Sequence, residues 1–496
     1  MQEPCFIAIG SGKGGVGKSL VAANLGICLA KLGKKTLLVD ADFGGANLHT
    51  FVGVERPQVT LVDILQKRTR HVVDCIVKTD VAGLHLLSGE GDPWLADPRG
   101  VTKKHLVQGI KDFPVDFVIC DLPAGSGSNA LDFFSTADVG ILVVVPEPTS
   151  AENAYRFIKS AFLRRLKTLP SFRGIGGVIE KLWAARSYTG DGEIPAPLDL
   201  LLFMQQHSPQ QAIVLEQELK RFSPWLLVNQ TRNRLDAELG DGMKFAGERR
   251  LGISIELLGH LESDDLVWQA IRKRKPLLIE YPESKISKGL EKIARRLIAG
   301  EHAHQDFIPK PLEAQNFYEV LGVEKGDSEQ EIRRSIRRIK DIYDRDSMVV
   351  QGLYSAQEIV QMQRKMDEAY ATLLDAEKRR KYDLRLFPSS LVKTQVKPKE
   401  EKKDTVESLI KPVDEFDKNT EFSGEVLKKI REHRQIGLKE ISDRTKIALW
   451  QLQAIEEQSL DKMPALVYLK GFLREYAKYL GLPVEQVVKT YLAAKL

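Results

Sequence analysis

Residues Gly10 to Ser19 read GSGKGGVGKS, and they stand between an apolar run, Phe6 to Gly10, and a helical pattern that begins near Gly17. A glycine-rich turn from strand to helix lets successive backbone N–H groups converge on one point, where the helix N-terminus adds positive potential. Lysine and serine close this turn. The pattern is that of a P-loop. Gly12, Gly14, Gly15, Val16, Gly17 and Leu20 frame the cradle, Lys18 reaches the outer phosphates of a nucleotide, and Ser19 offers its hydroxyl to Mg²⁺.

Outward from this turn, short apolar runs recur at Thr36 to Asp40, Leu84 to Leu87, Phe117 to Asp121, Val139 to Val145, Trp225 to Asn229 and Ile253 to Leu258. Several are apolar on consecutive residues, as strands buried on both faces require. Amphipathic stretches separate them. Residues 1–300 are thus expected to form a doubly wound, mostly parallel α/β P-loop NTPase domain, with a helical insertion at 180–222. Two small all-α domains should follow. In 312–387, Ile332, Ile336, Ile339 and Tyr343 recur at helical spacing. Residues 388–420 carry seven basic and seven acidic residues with no apolar period, so they cannot build a core and read as a flexible charged linker. Helical periodicity returns over 421–496.

The totals narrow the function classes. A net charge of +5, from 73 basic and 68 acidic residues, gives no global field of the kind nucleic-acid binders carry, so any DNA contact must be local. The four cysteines, Cys5, Cys28, Cys75 and Cys120, form no Cys-x-x-Cys pair suited to zinc or a bridging iron–sulfur cluster. No apolar run approaches the ~18 residues of a spanning helix. A reducing cytoplasmic setting is expected.

Lys13, an additional lysine early in the turn, makes the resemblance specific. KGGVGKS resembles the deviant Walker A motif of the MinD/ParA family, in which the extra lysine crosses a dimer interface to the partner's nucleotide. VDADFGGANLHTFVGV, Val39 to Val54, resembles that family's first switch, and Asp42 falls where a carboxylate positions the attacking water; Asp40 is the alternative or a supporting group. FVICDLPAGSGS, Phe117 to Ser128, resembles Walker B and the second switch, with Asp121 as the residue that holds Mg²⁺. LLVNQTRN puts Asn229 where the family contacts the adenine base. VVVPEPTSAENAYRFIK and DADFGGANL resemble the FlhG branch more than MinD proper. The resemblance implies ATP and Mg²⁺ as ligands, a slow, partner-stimulated ATPase with Lys13, Lys18 and Asp42 as its catalytic set, and a nucleotide-dependent homodimer. Relatives attach to membranes through a C-terminal amphipathic helix. The stretch Ser287 to Ala299 is either such a helix or the last cover of the sheet.

FYEVLGVEKGDSEQEIRRSIRRIKDIYDRDS with MDEAYATLLDAEKRRKYD resembles a J-domain. Asp344, Arg345 and Asp346 stand where such domains carry His-Pro-Asp, so chaperone stimulation is not expected. Arg333, Arg334, Arg337 and Arg338 form either a docking stripe for an acidic partner or a solvated face. Phe422 to Leu482 resembles the cytoplasmic helix-turn-helix domain of RodZ, which in that family binds the actin-like protein MreB. Its recognition stretch, Ala448 to Glu457, offers Trp450, Gln451 and Gln453 but no arginine or lysine and ends in Glu456 and Glu457, with Arg444 and Lys446 nearby. Direct DNA readout needs base-edge donors plus phosphate clamps, so protein binding is the leading expectation and DNA binding the alternative. The resulting expectation is an ATP-driven spatial switch with C-terminal interaction modules, cytoplasmic or peripheral at the inner membrane face or cell pole, serving an MreB-like, polar or flagellar partner. Its alternatives are a DNA-binding segregation or regulatory protein and a scaffold with negligible turnover.

Overall fold

The computed structural model describes residues 3–91, 101–172, 177, 195–300, 309–387, 422–457 and 466–493, apart from positions 44, 56, 67, 70, 311, 435, 446 and 448. The chain divides into two compact units, Met1–Pro388 and Ser389–Leu496.

The first unit is organised by eight strands: β1 (Cys5–Gly10), β2 (Thr36–Asp40), β3 (Ile76–Lys78), β4 (Leu84–Leu87), β5 (Phe117–Asp121), β6 (Val139–Val144), β7 (Trp225–Thr231) and β8 (Glu256–Glu262). They form one sheet in the order β3-β4-β2-β5-β1-β6-β7-β8, parallel except for β3, which pairs antiparallel to β4. Strands β2 and β5 are buried at every residue, which explains why their sequence is apolar without alternation. The edge strand β8 differs. It was expected at Ile253 to Leu258 but runs from Glu256 to Glu262, where buried and open residues alternate as at a sheet edge. Ile253 and Ile255 are buried in the approach to it.

Helices cover both faces: α1 (Lys18–Lys31), α2 (Val101–Lys111), α3 (Ser128–Thr136), α4 (Pro148–Thr168), α5 (Pro197–His207), α6 (Pro209–Arg221), α7 (Arg234–Leu251), α8 (Leu266–Lys273) and α9 (Lys285–Ala299). The helical pair α5–α6 accounts for the described part of the 180–222 insertion; residues 180–194 lie outside the described residues. Arg165 of α4 holds Glu218 of α6 at 2.8 Å, and Arg250 of α7 holds Asp199 of α5 at 2.9 Å. Helix α9 decides between the two readings of Ser287 to Ala299. Leu290, Ile293 and Leu297 are buried, and Arg296 donates to the carbonyls of Leu257 and Leu258 on β8. Withdrawing such side chains from a core costs about 1.5–3 kcal/mol each, so this face is occupied by the sheet and not open to a membrane. Among the described residues no helix is long and apolar enough to cross a membrane.

Four more helices complete the first unit: α10 (Phe317–Leu321), α11 (Glu329–Ile342), α12 (Ala356–Leu373) and α13 (Ala376–Leu386). Three begin with reciprocal caps, Asn316 with Glu319, Ser328 with Glu331 and Ser355 with Glu358, so the sequence itself fixes where each starts. Their apolar stripe does not close on itself alone. Ile342, Tyr343, Val349 and Leu353 belong to the same core cluster as Tyr155, Met243 and Ala246 of the α/β domain. Val349 fits against Gly242, where a Cβ would lie 2.8 Å from its Cγ2. Arg249 donates to the carbonyls of Val320 and Glu319 at 3.1 and 2.6 Å, and Arg250 also pairs with Glu358 at 3.0 Å.

The second unit holds α14 (Gly424–His433), α15 (Leu438–Thr445), α16 (Leu449–Glu457), α17 (Leu466–Tyr479) and α18 (Val484–Ala493) around a core of its own that includes Leu427, Ile441, Leu452, Leu473 and Val487. Glu456 departs from expectation. It turns inward, accepting from Arg431 Nε at 2.5 Å and Nη2 at 2.9 Å and from the Tyr476 hydroxyl at 2.5 Å. Only Glu457 of the acidic pair is exposed. Lys446 and the side chain of Trp450 lie outside the described residues, as does the 388–420 linker.

Candidate nucleotide site

Strand β1 is central, and its C-terminal end delivers the glycine turn directly to α1. Gly17 sits at φ 91 with Asn229 Nδ2 2.5 Å from where a Cβ would be, so a side chain there would meet both strain and a clash. Asn229, buried at the end of β7, donates from Nδ2 to the Val16 carbonyl at 2.8 Å. The residue expected at the adenine therefore braces the loop, while also lining the cavity in front of it. That cavity, about 700 Å³, runs from Gly15, Gly17, Lys18 and Ser19 past Asn229 to Trp268.

Lys18 is 8% exposed, and burial pulls its ammonium below the usual range against the opposing pull of Asp121 and Asp42. Asp121 ends β5. Burial pushes its carboxyl up to about 8, with Asp40 adding to the rise and the Ser19 hydroxyl bond and Lys18 working against it. Its Oδ1 is buried with no hydrogen-bond partner. A lone carboxylate oxygen beside a serine hydroxyl is costly to bury, and a hard divalent cation, which takes oxygen ligands, would satisfy it. Ser19 and Asp121 thus fit Mg²⁺.

Asp40 and Asp42 divide their work. Asp40 is buried; its Oδ2 accepts from the Leu48 N–H at 2.9 Å and its Oδ1 from the Asp42 N–H at 3.2 Å, while burial raises its carboxyl to about 7. It holds the loop. Asp42 is half-buried and close enough to act electrostatically on both Lys18 and Asp121. Of the remaining expected residues, Gly14 faces Ala124 of the β5 loop, Val16 is buried, and Leu20 lines the cavity. Lys13, Asp42 and Asp121 stand outside the lining.

Lys13 turns the other way. Its ammonium pairs with Glu147 and donates to Thr149 Oγ1 at 3.1 Å, both at the start of α4. Gly12 lies against the backbone of the same helix, where a Cβ would come 2.2 Å from the Asn153 carbonyl oxygen. Sequence reasoning did not assign Glu147, Thr149 or Asn153. The signal was present: a Pro-Glu-Pro turn leaving β6, which pairs directly with β1, must open beside the P-loop.

Three family models match the chain: a "NUBPL iron-transfer P-loop NTPase" (ParA) model over residues 4–169, a DnaJ domain over 316–383 and a helix-turn-helix domain over 426–487. The chain is 30% identical over 297 residues to the septum site-determining protein MinD of Bacillus subtilis, covering 59% of this chain and 88% of that one. It is 26% identical over 320 residues to the antiactivator FleN of Pseudomonas aeruginosa, covering 63% and 94%. Among solved structures it resembles MinD of Pyrococcus horikoshii complexed with Mg-ADP, at 23% identity and a TM-score of 0.40 over 60% of this chain and 97% of that one. The thiols bear on the iron-transfer description. Cys5, Cys28, Cys75 and Cys120 sit on four different elements, all are free, and burial holds each thiol above its usual range, to about 11, 12 and 11 for the first three. None is presented as a paired thiolate.

Proposed function

Because the chain belongs to the MinD/ParA family of P-loop NTPases, we propose that it hydrolyses ATP as a dimerisation switch for spatial organisation in the cell, with the two helical modules as its means of meeting protein partners. The observation that carries this reading is the buried Asp121, with an unpartnered Oδ1, beside the half-buried Ser19 and the buried Lys18: the burial of the two charged groups is hard to account for without a magnesium-bound phosphate chain.

In this reading the backbone N–H groups of Gly14 to Ser19 and the Lys18 ammonium hold the phosphates, and Ser19 and Asp121 hold the metal. Mg²⁺, when bound, neutralises charge on the phosphate oxygens. Asp42 orients the attacking water, and Asp40 keeps Asp42 in place by fixing the loop from both ends. Lys13 leaves Glu147 and Thr149 to reach the partner's nucleotide, adding positive charge where the transition state develops negative charge. Turnover is slow until a partner stimulates it, and the site of action is the cytoplasm, the inner membrane face or a pole. The name of one relative, a septum site-determining protein, supports a role in placement; an MreB-like, polar or flagellar protein is the partner class we favour.

The test uses the full chain. Calorimetry should find magnesium-dependent ATP uptake that Lys18→Ala abolishes, and light scattering should find an ATP-dependent dimer that Asp42→Ala traps. A chain that binds no Mg-ATP, or an Asp42→Ala variant that stays monomeric with ATP, would sink the reading.

A further inference from the structure

One turn of α4 is held from two sides. On one side Gly12 of the P-loop lies against the Asn153 backbone, with Lys13 tied to Glu147 and Thr149 at the helix start. On the other, the neighbouring residue Glu152 meets Gly352, in the connection between α11 and α12. A Cβ on Gly352 would lie 2.2 Å from Glu152 Cγ and 3.1 Å from its Cα. Gly352 has φ 68, and its carbonyl accepts from the buried Lys159 of α4 at 3.4 Å. The connection is itself anchored: Val349 packs on Gly242, and the Tyr354 hydroxyl lies 3.4 Å from the Ala246 carbonyl and 3.3 Å from the Tyr343 hydroxyl.

A packed helix transmits displacement because its interior neighbours leave no space to absorb it. A shift of the 347–354 segment must therefore move Glu152 and, with it, the helix start that holds Lys13. Gly352 is a glycine for a reason of position: the backbone is left-handed, and the Glu152 side chain is too near for a Cβ to fit without displacing it.

We propose that the J-like module acts in cis as a positioning element for Lys13, with Gly352 pressing on α4 at Glu152, and that the partner this module serves is the chain's own ATPase domain. Its role in dimerisation rests on the function proposed above. Asp344, Arg345 and Asp346 are exposed at the tip, while the residues that follow them are committed to the α/β domain.

Gly352→Asn keeps a residue type that tolerates left-handed backbone but adds a side chain against Glu152. Glu152→Ala removes Cγ, the atom that an added Cβ would strike at 2.2 Å, leaving Cβ and Cα at 3.0 and 3.1 Å, and costs by itself only an exposed i,i+4 pair with Arg156. In the full chain without nucleotide, Gly352→Asn is expected to raise the acetylation rate of Lys13 and the amide exchange of residues 148–153 several-fold, with exchange in β1 and α1 unchanged. With ATP it should weaken dimerisation about tenfold at unaltered ATP affinity, a typical coupling between sites. The double variant Gly352→Asn/Glu152→Ala should restore most of each readout, since the closest contact is the one removed. Wild-type values for Lys13 and the helix start in the single variant, or exchange that rises across the whole unit, would overturn the proposal. If the wild type itself fails to dimerise with ATP, the functional reading falls, and the nucleotide-free labelling and exchange, with their rescue, still decide this inference.

Discussion

The two helical modules make an instructive pair. Each matches its own family model, and each shows the apolar period of a small independent domain. Yet the first shares one core with the α/β domain, through Ile342, Tyr343, Val349 and Leu353, whereas the second closes around Leu427, Leu452 and Leu473 within its own unit. Both are sealed by arginines, and the arginines draw the distinction. Arg249 and Arg250 reach from the α/β domain into the first module; Arg431 stays at home, tied to Glu456 and Tyr476. Periodicity reports that a face is buried, and is silent on what buries it.

The largest expected effect breaks this contrast or upholds it. A chain stopped at residue 387 should keep the melting behaviour of the first unit, while a chain stopped at residue 300 should lose ~10 °C or more, or fail to stay soluble, as Gly242, Tyr155 and Ala246 are uncovered. Equal melting temperatures would show that the shared core contributes nothing. Next in size, Arg431→Ala strands the buried Glu456 carboxylate and should cost about 3–5 kcal/mol, visible in calorimetry as loss of the second unit's transition alone. A simultaneous shift in the first unit's transition would refute the independence of the two.

A smaller effect is confined to the first unit. The Asp40 and Asp121 carboxyls are raised by burial to about 7 and 8, so the nucleotide-free fold prefers them protonated. Their stabilising share is complete below the ordinary carboxylate range and is lost as pH climbs through these values. Thermal denaturation should show the first unit losing on the order of 2 kcal/mol between pH 6 and pH 8 without nucleotide. Asp121→Asn should flatten that slope, and an unchanged slope would remove Asp121 from the account. Smallest is Tyr354→Phe, which deletes one hydroxyl bridging the module to Ala246 and should cost roughly 1 kcal/mol in urea denaturation. A cost of zero would mean that the hydroxyl bonds little across this seam.

Much of the α/β domain could be read in advance because its central strands are buried on both faces and so carry unbroken apolar runs; β2, β4 and β5 fall at the expected residues. Edges were harder. β3 spans three residues, too few to announce itself, and β8 alternates, so the apolar run before it drew the expected strand a few residues too early. At the site, Gly12 to Leu20 were legible because one local turn contains them all. Glu147 and Thr149 went unassigned because the Pro-Glu-Pro turn that carries them becomes informative only once β6 is known to pair with β1. Asn229 was expected at the adenine base; its bond to the Val16 carbonyl depends on a side-chain direction that no pattern encodes. Glu456 looked like a surface acid and is an interior one; nothing in QAIEEQ separates it from Glu457 except the distant Arg431.

The Arg249 guanidinium has a bearing on how the chain is made. It donates to the last carbonyls of α10, a helix of only five residues, too short to persist by itself. Synthesis runs from the N-terminus, so the donor has already emerged before Phe317 leaves the ribosome. The part of the nascent polypeptide made first thus already carries the donor that this short helix needs when it arrives.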